Sequence, residues 1–288
     1  MTTSNKLTNQ SGVNSVINLT LSDFILTPGS CALLVNEVMK NLLYHRSQIP
    51  YPYAWLKNII NKKRRNLEDD DSKNTSNFTL SRHYQVVSTV YDSTETVMAN
   101  IIKVFACYGF KLKEVVFVIG VTPLCPKEVF TIKISSMAHD HIERNHAAEN
   151  SKKQPKVLRT IFLDNHWMNL IENSLPCSNM YIFLKLTGTK DLGIKEDSIF
   201  IPSKPLSLSP SVKHTVISLN YVKTQLLCCD NLEIFKDSNN VYCLKEVDHV
   251  NVNQPATLGS TDVWLQSKTS IKGFKDCFIN KVSANELW

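Results

Sequence analysis

The positions Tyr84, Val87, Tyr91, Thr94, Met98, Ile101, Phe105 and Tyr108 follow one another in alternating steps of three and four. That rhythm draws a single stripe along one side of a helix. Gly109 stops the helix. Glu114 to Val121 then reads as a strand buried on both faces. Val129 to Ile134 alternates, with Phe130, Ile132 and Ile134 on one side and Thr131 and Lys133 on the other. The link Thr122 to Lys127 holds Pro123 and Pro126, so the two strands are expected to form a hairpin with a longer than minimal loop. A long amphipathic helix and a hairpin side by side call for a helix layer on a sheet.

The remaining pattern extends that picture. Residues 1–22, rich in Thr, Ser and Asn, are expected to form a flexible tail, and 23–288 a single domain. Ser30 is a plausible N-cap for a helix carrying Leu34, Val35, Val38, Leu42 and Leu43, which ends before Pro50. A short helix around Ala54 to Ile60, a mobile charged loop at 61–77 and a polar loop at 136–154 are expected. Strands are expected at Met180 to Leu186 and His214 to Leu219, weaker ones near Leu232 to Phe235 and Val241 to Val247, and a last extended segment at Asp262 to Ile271. Three helices come early and strands late, which is α+β segregation with a largely antiparallel sheet, not βαβ alternation.

Composition narrows function. Eight glycines in 288 residues are placed so that no GxGxxG, Walker A loop or GxSxG elbow can be written. Lys and Arg number 32 against 26 Asp and Glu, a modest excess. The dense run Lys62 to Arg65 is followed by Glu68 to Asp71, which cancels it, so it reads as a solvated loop and not as a nucleic-acid patch. The longest apolar run, Val115 to Val121, is far short of the roughly 20 residues that span a bilayer. A soluble, non-secreted chain with reduced cysteines is expected, with Cys107 and Cys125 as small core residues. Cys228 and Cys229 read as packing. The cluster His139, Asp140, His141, Glu143 and His146 has metal-ligand residue types, but its spacing matches no known ligand frame. A solvated loop is its plain reading and a metal-dependent enzyme the competing one. No nucleophile sits in a recognisable turn. No catalytic residue, metal or cofactor is therefore assigned.

A third helix is expected from about Lys156 to Leu175. Val157, Ile161, Met168, Ile171 and Leu175 fall on one side of it, with Leu163, Trp167 and Leu170 adjoining. Phe162 projects into the other half, among Arg159, Asn165, His166 and Asn169. An aromatic on a polar face is a candidate contact residue, unless another segment of the same chain covers it.

Three stretches in order carry a family resemblance. They are Asn36-Glu37-Val38-Met39-Lys40-Asn41-Leu42-Leu43-Tyr44-His45-Arg46-Ser47-Gln48-Ile49-Pro50-Tyr51-Pro52-Tyr53; the hairpin Val115 to Ser135, with Leu124-Cys125-Pro126-Lys127-Glu128 at its turn; and Val263-Trp264-Leu265-Gln266 followed by Ile271-Lys272-Gly273-Phe274. Together they resemble the comet family, the binding partners of the checkpoint protein Mad-two. The resemblance implies a HORMA-like fold. It also implies an adaptor that docks its third helix and the end of its first helix on the closed conformer of Mad-two, covering the surface that Mad-two uses to dimerise. Such an adaptor presents the complex to the AAA+ ATPase that remodels HORMA proteins, which dismantles the mitotic checkpoint complex and silences the spindle checkpoint. A nuclear and cytoplasmic protein, at kinetochore or spindle in mitosis, is implied.

Residue by residue, Phe162 falls where the family places an aromatic anchor, with Arg159, His166 and Asn169 around it. His45 falls on a second contact position where the family typically has glutamine. Pro202, Ser203 and Lys204 lie near a segment similar to the ATPase-contacting Pro-Lys pair. Trp264, Gln266, Lys272, Gly273 and Phe274 resemble a C-terminal segment that folds back like a seat belt. Residues 222–258 are longer than the family pattern, and Lys275 to Trp288 extends past its usual end. The alternative is a HORMA protein that clamps a peptide of a chromosome-axis or repair partner. Neither nucleic acid nor membrane is expected as a partner.

Overall fold

In the computed structural model the chain is described over residues 14–69, 78–139, 141–188, 198–222 and 262–287. In order, these form β1 (Asn14–Leu21), α1 (Pro28–His45), α2 (Tyr53–Asp69), α3 (Phe78–Tyr108), β2 (Leu112–Thr122), β3 (Cys125–Ile134), α4 (Glu143–Phe162) and α5 (Asn165–Ile171). Then come β4 (Asn179–Thr187), β5 (Phe200–Ser203), β6 (Lys213–Tyr221), β7 (Asp262–Ser267), β8 (Ile271–Lys272), β9 (Phe278–Ile279) and β10 (Val282–Ser283). The main sheet runs β1-β6-β3-β2-β4-β7-β5, with β8 also on β4. Most pairings are antiparallel, while β6 is parallel to both neighbours, β1 and β3. The class is α+β.

The sheet separates two cores. On one face Val115, Phe117, Ile119, Phe130, Ile132, Ile182 and Leu184 pack with the helices into the main core. On the other, Val116, Val118, Val129 and Phe183 are covered by Leu206, Leu208 and Val212, which follow β5, and by Trp264 of β7. This double cover is why β2 reads as continuously apolar. The stripe of α3 buries Val87, Tyr91, Thr94, Met98, Ile101 and Phe105. Among the described residues no helix is long and apolar enough to cross a membrane.

Several boundaries differ from expectation. Residues 14–21 of the expected tail form β1, because Ile17, Leu19 and Leu21 alternate inward and the strand gains a full ladder on β6; residues 1–13 lie outside the described residues. Helix α1 is capped by Thr27, not Ser30; Ser30 closes the box from the N3 position. The expected loop at 61–77 is helical through Asp69, and Arg64 ties it to Asp92 of α3 at 2.7 Å. The hairpin turn is only Pro123 and Leu124, with the ladder shifted at Ile119/Gly120 and Gly120/Thr122. Gly120 is needed there, since a Cβ would stand 2.5 Å from the carbonyl oxygen of Cys125.

The largest correction is α4, which begins at Glu143 inside the expected polar loop. Its inner face is polar at first, with buried His146 and Asn150 preceding Val157 and Ile161, so an apolar rhythm is missing. Asn150 replaces it with hydrogen bonds, accepting from the N–H of Ile25 at 3.2 Å and donating to its carbonyl at 2.8 Å. Cys107 and Cys125 are exposed, not core: one lies off the α3 stripe and the other opens β3 at the hairpin tip. Beyond Val222, the expected insertion at 222–258, its weaker strands and Cys228-Cys229 lie outside the described residues. The extension from Lys275 forms the β9–β10 hairpin, turning through Asn280 and Lys281 at positive φ.

Candidate functional site

The expected third helix is two helices. Helix α4 ends at Phe162, and Asp164 caps α5 by accepting the N–H of His166 at 2.8 Å. The break rephases the faces. Leu163 and Met168, expected on or beside the buried side, are 65% and 43% exposed, whereas Trp167 is completely buried. Phe162 is partly buried and packs against the main core, so the ring is neither free nor enclosed. Arg159, Asn165, His166 and Asn169 are exposed around it.

At this joint the end of α1 meets the end of α4. The His45 ring lies edge-on to Phe162, with centroids 5.3 Å apart at 84°. Trp167 completes the triangle, 5.0 Å from Phe162 and 5.8 Å from His45. Its indole N–H donates to Nδ1 of His45 at 3.1 Å. Burial holds the titration of His45 below the ordinary histidine value. Tyr44, 5.8 Å from His45, Leu163 and Met168 supply exposed apolar surface beside the triangle. Aromatic side chains are enriched among the residues that anchor protein–protein contacts.

Residues that pattern reading passed over fix this joint. Arg46 is buried and makes a two-pronged pair with Glu128 of β3, Nε to Oε2 at 2.8 Å and Nη2 to Oε1 at 2.7 Å. Its Nη1 donates to the carbonyls of Leu170 and Asn173, both at 2.8 Å, pinning α5 to the end of α1. Gln48 accepts the N–H of Ser178 at 2.7 Å, and its carbonyl accepts the N–H of Phe274 at 2.8 Å. Only the long-range fold brings Arg46 to Glu128, so no local spacing signals the pair.

The other expected site residues lie elsewhere. Pro202 and Ser203 end β5, the edge of the sheet opposite β1, followed by exposed Lys204. Trp264 sits in the second core under Lys185, whose Nζ is 5.8 Å from the ring. Gln266 pairs with Phe183 and Ile201, and Lys272 with Asn179. Gly273 donates its N–H to the carbonyl of Ser178 at 2.8 Å, and Phe274 is buried near His83. Of the histidine cluster, His139 stacks on Phe110, His141 and His146 bond to each other, and Glu143 bonds Thr27 and the N–H of Gly29 at the start of α1, while Asp140 lies outside the described residues. Among the described residues no group of three or more His, Cys, Asp or Glu is placed to hold a metal ion.

Residues 5–195 match the model of a family described as "p31comet: Mad1 and Cdc20-bound-Mad2 binding". That span includes His45, Phe162 and Trp167. The chain is also 22% identical over 246 residues to the mouse (Mus musculus) "MAD2L1-binding protein", covering 85% of this chain and 74% of the mouse protein.

Proposed function

Because the chain belongs to the p31comet family, we propose that it is a noncatalytic adaptor for the closed conformer of Mad-two. It docks through the end of α4 and the end of α1, and so covers the Mad-two dimerisation surface. The observation that carries this reading is Phe162, partly open beside His45 at a joint that Arg46 holds rigid. Arg159, His166 and Asn169, exposed around the ring, form the polar rim of the contact.

The adaptor hands the complex to a AAA+ remodelling ATPase, and the mitotic checkpoint complex comes apart as the checkpoint is silenced. Pro202, Ser203 and Lys204 serve that second contact. Their position on the sheet edge opposite β1 supports the reading, since α4 packs beside β1 and both partners then have room at once. The fold is HORMA-like, with β7, β8 and the turn to Phe274 acting as its seat belt; the main-chain bond from Phe274 to Gln48 supports that reading. Nuclear and cytoplasmic distribution, with kinetochore or spindle association in mitosis, belongs to this role and is read by imaging the tagged chain.

Size-exclusion chromatography with purified closed Mad-two tests the first contact. Co-elution is expected at micromolar concentrations, and separate peaks would overturn the proposal. Phe162→Ala is expected to weaken the complex by about 2 kcal/mol or more, as central aromatic anchors do. Substitution of Lys204 should leave Mad-two binding intact while reducing ATPase-driven opening of Mad-two.

A further inference from the structure

The docking joint contains one hydrogen bond whose direction is fixed by chemistry. An indole N–H can only donate, and that of Trp167 meets Nδ1 of His45 at 3.1 Å. A ring nitrogen that accepts carries no proton, so the proton of the neutral imidazole resides on Nε2. Trp167 is wholly buried against Phe130 and Phe162, which leaves the indole no room to turn away. Turning the histidine ring over would set a carbon opposite the indole N–H. Nε2 of His45 makes no hydrogen bond among the described residues and is not among the sealed unpaired atoms, so on a half-buried ring it keeps contact with solvent.

We infer that Trp167 is a positioning residue that holds His45 as the Nε2–H tautomer, so that the docking face offers one outward N–H donor and recognises a hydrogen-bond acceptor of its protein partner there. A main-chain carbonyl or a carboxylate has that chemistry. The inference rests on the reading of this joint as the face for closed Mad-two and deepens it. A protonated ring would set Nδ1–H against the indole N–H, donor facing donor. Burial alone accounts for the low titration of His45, with no charged side chain contributing. The charged or titratable side chains at this end of the packed elements are Tyr44, whose ring lies 5.8 Å from that of His45, Arg46 and Glu128, which satisfy each other, Arg159 and Asp164 at the joint of α4 and α5, and His166 on α5.

Long-range proton–nitrogen correlation NMR on the histidine-labelled full chain reads the tautomer without any partner. His45 is expected to show a protonated Nε2 and a bare Nδ1, and Trp167→Phe to shift it toward a mixture. A protonated Nδ1 in the native chain, or an unchanged tautomer in a folded Trp167→Phe variant, would overturn the inference. Should Trp167→Phe fail to fold, His45 itself supplies the second arm, since glutamine keeps one acceptor and one donor and leucine keeps neither. In calorimetric titrations with closed Mad-two, His45→Gln should stay within about twofold of the native Kd and His45→Leu should weaken it about fivefold or more. Equal affinity for His45→Leu and the native chain would remove the donor role. No binding by the native chain would sink the docking reading and with it the acceptor on the partner, while the NMR result still decides the tautomer.

Discussion

Arg46 is 1% exposed, and every partner of its guanidinium comes from a distant part of the chain. Removing one member of such a pair leaves a buried charge with no partner, which costs about 3 to 5 kcal/mol. Glu128→Ala is therefore expected to destabilise the fold by about that amount in urea denaturation, with α5 the first element to lose amide protection. A loss below about 1 kcal/mol would mean that the pair is not sealed from water. Phe162 lies at the other end of the scale. Its ring keeps one open side, so Phe162→Ala should cost stability by only about 1 kcal/mol, well under the 3 to 5 typical of a core phenylalanine. Helix arithmetic already marks Phe162, because one aromatic among polar neighbours breaks a local period. It does not mark Trp167 as the residue that orients His45, since that bond spans 122 positions.

Among the elements, the C-terminal segment is threaded most closely. Where it passes the end of α1, a Cβ on Gly273 would meet the carbonyl oxygen of Ser178 at 2.7 Å, Sγ of Cys177 at 2.8 Å and Oε1 of Gln48 at 3.0 Å. The nearest of these is backbone and cannot swing aside. Gly273→Ala is expected to cost about 1 to 3 kcal/mol, as overpacking does, and to expose the segment after Ser267 to limited proteolysis. A melting temperature equal to the native one would show that the segment is not held against Gln48. Helix α3 and the β2–β3 hairpin are legible from periodicity because apolar residues recur along the whole of their inner faces and polar ones such as Thr94 interrupt them only singly. The first half of α4 is not: His146 and Asn150 take the buried positions, and a polar residue that faces a core looks in sequence like one that faces water. β5 is missed for a related reason, since a four-residue edge strand carrying Pro202 has too few positions to show a period.

At the scale of the whole molecule, four histidines among the described residues share one electrostatic habit. His45, His83, His146 and His214, on α1, α3, α4 and β6, all titrate below the ordinary histidine value, and burial is the leading cause for each. Neighbours modify it: Asp276 pulls His83 back up, His141 pushes His146 further down, and Lys133 lowers His214 while Glu114 opposes it. In the unfolded chain these groups take up protons near pH 6.5, whereas the folded chain resists until a lower pH. Between those limits the unfolded state binds more protons, so stability falls as pH falls through the window and is regained above it. Carboxylates ordinarily titrate near pH 4, so a decline that sets in at about pH 6.5 belongs to histidine. Thermal melts from pH 8 to 5 should show a plateau down to about pH 6.5 and a steepening loss below it. His45→Gln, which removes one of the four groups, should make the decline shallower. A melting temperature level from pH 7.5 to 5, or one that rises on acidification, would mean that these rings are open to water and that the packing around them, including the aromatic joint at His45, is looser than described.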